Sequence, residues 1–142
     1  MSAADDRAAI TALIMGYAER IDAGDLAGVA AYFAEATYRS VQGGEYHGAA
    51  AVRAVLEERV MLYDGVPRTK HVTTNLVIAL AADAATARSY FTVLQAAAGA
   101  PLQPIVAGRY HDRFVRVDGA WRFADRLIFM DLIGDLSRHL KR

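Results

Sequence analysis

Two side chains in this sequence have the types to do acid–base chemistry together: an aspartate closing the first amphipathic segment and a histidine on the first long β-patterned one. His71 alternates with Thr69, Thr73 and Asn75, so the four share the polar side of a strand while Val72, Leu76, Ile78 and Leu80 share the other. A neutral imidazole there could accept a proton near neutral pH. Asp22 lies on the helical line of Ile14 and Ala18 that faces the interior, at the helix end where the dipole is negative. A carboxylate so placed needs hydrogen bonds or a cation, and an imidazolium would supply both. The same aspartate could equally serve only the turn into the next helix, and a strand histidine is often just a hydrogen-bonded structural group. His47 lies beside a turn, His111 alternates with Arg109 and Arg113 on a solvent face, and His139 falls in the tail, so His71 is the best placed base of the four.

Arg126 follows Trp121 and Phe123 on an otherwise apolar strand. A buried guanidinium takes a carboxylate or an anionic ligand as partner, which makes Arg126 a candidate to bind substrate or hold Asp22, unless it snorkels to water at a sheet edge. Tyr17 and Tyr38 are apolar bodies with a hydroxyl able to donate to a developing oxyanion, although buried tyrosines are more often core residues. Asn75, Phe91 and Met130 complete the set expected to shape a pocket. No pair of histidines or carboxylates has metal-ligand spacing, and G-x-S-x-G, G-x-G-x-x-G and P-loop patterns are absent, so neither a metal nor a nucleotide cofactor is expected.

The elements that would position these residues follow from periodicity. Ile10, Leu13, Ile14, Tyr17 and Ile21 recur at helical spacing over residues 5–22. After Ala23-Gly24, Asp25 can cap a short helix carrying Leu26, Val29, Ala30 and Phe33. A small hairpin through Gly43-Gly44 follows, then a third helix over residues 49–63 with Val52, Val55, Leu56 and Val60 on one side. Beyond Pro67 the period changes to two, predicting four long strands over 69–80, 86–96, 105–117 and 121–132, joined by turns that include Asp118-Gly119. An α+β fold results: a curved antiparallel sheet with three N-terminal helices across one face. Residues 127–133 are apolar on both sides, so the second face also needs cover; a symmetry mate, giving a homodimer or higher oligomer, is expected, with the C-terminal tail as the alternative.

With 142 residues, 54% apolar and 23% charged, the chain has the size and composition of one folded domain rather than a disordered polyelectrolyte. Sixteen basic and sixteen acidic residues cancel, and only Arg138, Lys141 and Arg142 cluster, so no basic stripe is available for nucleic acid. The absence of cysteine suits a reducing cytoplasm. Asp5, Asp6 and Arg7 precede any apolar run, the reverse of a signal peptide. The long uncharged stretch between Arg88 and Arg109 is broken by Gln95, Gly99, Pro101, Gln103 and Pro104, so no membrane span is expected. From residue 138 onward the chain is expected to fray.

Several segments resemble the SnoaL-like branch of the nuclear transport factor 2-like superfamily: Ala8-Ala9-Ile10, Tyr17 through Asp25, Thr69 through Asn75, and Asp118 through Phe123, in that order. The resemblance covers nearly the whole chain, residues 1–142, as one SnoaL-like domain, and implies a cone of curved sheet, the cystatin-like α+β barrel, with helices across its mouth. It also implies roles. Asp22 and His71 match the Asp-His dyad of the dehydratases and the dehydrochlorinase of that superfamily, Arg126 matches an arginine some of them use, Tyr17 matches a tyrosine five residues before the dyad aspartate, and Tyr38 resembles a substrate-binding tyrosine. Where scytalone dehydratase has a second tyrosine beside its aspartate this chain has Ile21, and near the position of its second histidine there is only Gln95. The implied activity is cofactor-independent proton abstraction from a small hydrophobic substrate, of the lyase or isomerase/cyclase type. The alternatives are a ligand-binding or assembly module without chemistry and a small subunit of a ring-hydroxylating dioxygenase, since one fold serves many functions.

Overall fold

Three helices and a short hairpin give way to four long strands after Pro67, where the periodicity changes. The computed structural model describes residues 1–141; Arg142, one of the three clustered basic residues, lies outside them. The first helix, α1 (Ala3–Asp22), begins at a capping box in which the Asp5 N–H donates to Ser2 Oγ and the Ser2 N–H donates to the Asp5 carboxylate, each at 3.1 Å. It stops at Gly24, whose φ of +76° suits glycine and whose missing Cβ would stand 1.9 Å from the Gly65 carbonyl oxygen. Close approach of that loop thus fixes where Asp22 emerges. Asp25 then caps α2 (Leu26–Ala31) by accepting from the Gly28 N–H at 2.9 Å.

β1 (Thr37–Ser40) and β2 (Glu45–His47) form the expected hairpin, and α3 (Ala49–Arg59) follows. The third helix ends four residues before its predicted limit. Val60 is extended and bridges Leu140, and the Met61 N–H donates to the His139 carbonyl at 2.8 Å, so pairing with the tail replaces the last helical turn. The same pairing overturns the expectation that the chain frays from residue 138, because the Lys141 N–H also donates to the Arg59 carbonyl at 2.7 Å.

The four long strands are β3 (Thr69–Ala81), β4 (Ala84–Gln95), β5 (Gln103–Val117) and β6 (Ala120–Ile133). They form an antiparallel meander in a curved, unclosed six-stranded sheet of order β2-β1-β6-β5-β4-β3, with β1 lying parallel to β6. On the inner face Phe91, Val93, Val106, Tyr110, Phe114 and Phe123 meet Ile10, Ile14, Val29, Phe33 and Val52 from the helices in one apolar core. Gly108 is needed on that face, since a Cβ would sit 1.8 Å from the Phe129 carbonyl oxygen and 2.8 Å from the Phe91 ring.

The face assignment along β3 needs correction. Pairing skips from Thr74 opposite Tyr90 to Val77 opposite Arg88, so Asn75 and Leu76 share one partner position in a bulge, and Asn75 takes a φ of +55° that asparagine tolerates. Phase reverses there. His71 and Thr73 before the bulge, and Leu76, Ile78 and Leu80 after it, are the partly buried positions; Val72 and Val77 are 41% and 50% exposed. The supposed polar side of the strand is therefore the core side. A second bulge, between Arg113 and Phe114 on the β5–β6 ladder, does the same for β6 and turns Arg126 inward in register with Trp121 and Phe123.

The outer face keeps Val77, Tyr90 and Leu132 exposed. The tail, the alternative cover for this face, instead folds onto the cavity side, where Leu136, His139 and Leu140 join the inner lining. No helix among the described residues is long and apolar enough to cross a membrane.

Candidate active site

Inside the sheet's curve lies a cavity of about 210 Å³, floored by Phe91, Val106, Ile128 and Met130 and walled by α1, α3 and the tail. Polar side chains interrupt this apolar lining. Tyr17, Tyr38, Tyr110 and the imidazoles of His71 and His139 are among them, with Ser40, Gln42, Tyr46 and two arginines also in the lining.

α1 delivers Asp22 from behind. Its Oδ1 accepts from the Thr69 hydroxyl at 2.8 Å and lies 2.6 Å from His71 Nδ1, while Oδ2 accepts from the His71 main-chain N–H at 2.9 Å. Burial pushes this carboxyl's pKa up, but the bonds and charge it receives from His71, with help from Thr69, outweigh burial and leave it below the ordinary value. Asp22 is thus held as a carboxylate. Its bond to Nδ1 fixes the ring tautomer with the proton on Nδ1 and leaves Nε2 as the nitrogen able to take a proton from the cavity. Both side chains are about nine-tenths buried, a setting in which such a bond is stronger than in water.

The Tyr17 and Tyr38 hydroxyls lie 2.8 Å apart, so one donates to the other and a single O–H remains for a ligand. Desolvation raises the pKa of both phenols, that of Tyr38 further. Two causes separate them: the Tyr17–Tyr38 bond raises Tyr38 and lowers Tyr17, and the Arg126 guanidinium carbon, 4.2 Å from the centre of the Tyr17 ring, favours the ionised form of Tyr17.

Arg126 itself does not line the cavity. It is fully buried, donates through Nε and Nη2 to the Asp112 carboxylate at 2.8 and 3.0 Å, and is sandwiched between Tyr17 and Tyr110, 3.7 Å from the latter's ring centre. Its carboxylate partner is Asp112, not Asp22. Asn75, spent on the β3 bulge and exposed, is also outside the cavity, whereas Tyr17, Tyr38, His71, Phe91 and Met130 all reach it. Among the described residues no group of three or more His, Cys, Asp or Glu side chains is placed to hold a metal.

One residue set aside on sequence grounds belongs here. His139 is 6% exposed, and its ring centre lies 6.1 Å from that of His71. Burial, reinforced by His71 and opposed by Asp22, pulls its pKa down from 6.5 to about 4. The sign of the effect on stability follows. Between about pH 6.5 and 4 the unfolded chain binds a proton that the folded one refuses, so stability falls as pH drops through this window, by about 3 kcal/mol in all. Urea unfolding between pH 7.5 and 4 should show that loss in the wild type and lack it in His139→Gln; equal slopes in the two would refute it. The sequence offered one signal, the apolar spacing of Leu136 and Leu140 around His139, but not where that segment docks.

The SnoaL-like domain family matches residues 2–127, and the chain belongs to that family. Solved structures agree on the fold. An NTF2-like protein with a cystatin-like fold from Novosphingobium aromaticivorans is 21% identical, with a TM-score of 0.76, over 89% of this chain and 82% of that one. A protein of unknown function from Mycobacterium tuberculosis is 28% identical, also with a TM-score of 0.76, over 94% and 78%. LinA is 22% identical, with a TM-score of 0.75, over 94% and 90%. No curated protein matches the chain significantly.

Proposed function

We propose that this chain, working as one domain, is an enzyme in which His71, oriented by Asp22, removes a proton next to an activated carbon of a small hydrophobic substrate. The contact of 2.6 Å between His71 Nδ1 and the Asp22 carboxylate, beside an apolar cavity, carries this reading. The C–H proton passes to Nε2, its electron pair delocalises into the neighbouring carbonyl, and the hydroxyl left free by the Tyr17–Tyr38 pair donates to the oxygen that gains charge. Elimination, isomerisation or ring closure can follow from that anion, which makes the enzyme a lyase or an isomerase/cyclase. The carboxylate–imidazole pair is itself the base, so the step calls for no cofactor. Arg126 acts through Tyr17, under whose ring it lies. The exposed apolar outer face is covered in this reading by a second copy of the chain.

The test uses β-tetralone, a bicyclic ketone with acidic C–H bonds beside its carbonyl, in heavy water. Wild-type protein should speed deuterium uptake at those carbons well above the buffer rate, as followed by proton NMR. Nitrogen NMR of the neutral His71 ring should find the proton on Nδ1 in the wild type and a shift toward Nε2 in Asp22→Leu. Binding of the ketone without any exchange would assign the cavity to ligand carriage rather than catalysis.

A further inference from the structure

Proton abstraction accounts for only one of the two imidazoles in the cavity. His139 is held on a strap tied at both sides of the ring: its carbonyl accepts from the Met61 N–H at 2.8 Å, the next residue bridges Val60, and the Tyr63 hydroxyl donates to the carbonyl of Arg138 at 2.7 Å. The ring stands edge-on to His71. Three fully enclosed side-chain atoms have no hydrogen-bond partner among the described residues: Ser89 Oγ, Arg126 Nη1 and His139 Nδ1. Of these three residues only His139 is part of the cavity lining. An aromatic or aliphatic side chain of similar volume would fill the place without stranding a polar atom, so packing gives no reason for an imidazole here.

We infer that His139 is a substrate-binding residue, hydrogen-bonding to an oxygen of the ligand while His71 acts as base, and that the ligand is therefore a hydroxyl- or carbonyl-bearing ring compound rather than a hydrocarbon or halocarbon. The part assigned to His71 rests on the proposed function; the part assigned to His139 does not. A ring without charge suits this work, because it does not repel the imidazolium formed on His71 and its N–H can donate where negative charge builds on oxygen. Burial supplies that state, pulling its pKa down to about 4.

β-Naphthol and naphthalene, which differ by one hydroxyl, form the test. Wild-type protein should bind β-naphthol about tenfold more tightly than naphthalene, as expected for one hydrogen bond gained in a dry site. The preference should shrink to within about twofold in His139→Phe, return in large part in His139→Gln, whose amide restores a donor, and persist in His71→Ala. An unchanged preference in His139→Phe, or its loss in His71→Ala alone, would overturn the inference. So would failure of millimolar β-naphthol to bind. Should the variants not fold, the wild type decides by itself: β-naphthol must shift the ring nitrogen signals of His139, and unmoved signals refute the assignment. Failure of the catalytic reading is a separate result, an absence of exchange into β-tetralone with the naphthol preference intact.

Discussion

Alanine at position 71 is expected to slow deuterium exchange into β-tetralone by about 10²- to 10⁴-fold while leaving the fold in place. The size follows from removing the base altogether: no other cavity side chain combines a free lone pair with a carboxylate behind it. Tyr17 and Tyr38 are phenols whose pKa values burial has raised, and His139 has no carboxylate bonded to its ring, so the distant Asp22 charge does not offset its burial. The fold survives for an equally specific reason. Of the contacts that hold the Asp22 carboxylate, those from the Thr69 hydroxyl and from the main-chain N–H of residue 71 remain in His71→Ala. The variant loses only the bond from the imidazole, about 1.5–3 kcal/mol when one partner is charged. Circular dichroism and β-naphthol binding close to wild type, together with the collapse in exchange, are the expected outcome. Exchange at the wild-type rate would remove His71 from the mechanism.

Much of this site could be read from the sequence because it is written locally. The helical spacing from Ile10 to Ile21 and the Ala23-Gly24 break place Asp22 at a helix end facing inward, and the change of period after Pro67 places His71 near the start of the first long strand. Alternation, however, cannot register a bulge. A single left-handed residue at Asn75 moves Val72 to the outside and brings Leu76, Ile78 and Leu80 to the core, so a strict period of two puts the apolar side of β3 on the wrong face of its first half. The same limit applied to Arg126. Its partner, Asp112, sits directly opposite on the neighbouring strand, a relation set by register rather than by spacing. His139 was missed because a tail gains its place from what it docks on: Val60 and Met61 leave the helix to meet it, and helical periodicity alone would have run that helix to residue 63. The first failure is a local backbone irregularity and the other two are long-range, and those two supply the cavity or the layer behind it.

The layer behind it makes the second large prediction. Asp112→Ala is expected to cost about 3–5 kcal/mol, because it leaves the Arg126 guanidinium at 0% exposure with its charge and no carboxylate. A domain of this size has about 5–15 kcal/mol in all, so urea unfolding should show a large drop in midpoint. Asp112 holds the guanidinium in its charged form in spite of burial, which is why removing the arginine's partner is worse than removing both. The double variant Asp112→Leu, Arg126→Met should recover to within about 1 kcal/mol of wild type, since an apolar pair of similar volume avoids the cost of desolvating two charges. Recovery of stability without recovery of exchange into β-tetralone would then separate two duties of the pair. If the cation beneath Tyr17 were only a packing element, the repacked protein would exchange at the wild-type rate. In the proposed mechanism the guanidinium 4.2 Å from the ring centre strengthens Tyr17 as a donor, which methionine cannot do, so the repacked protein should be stable and slow.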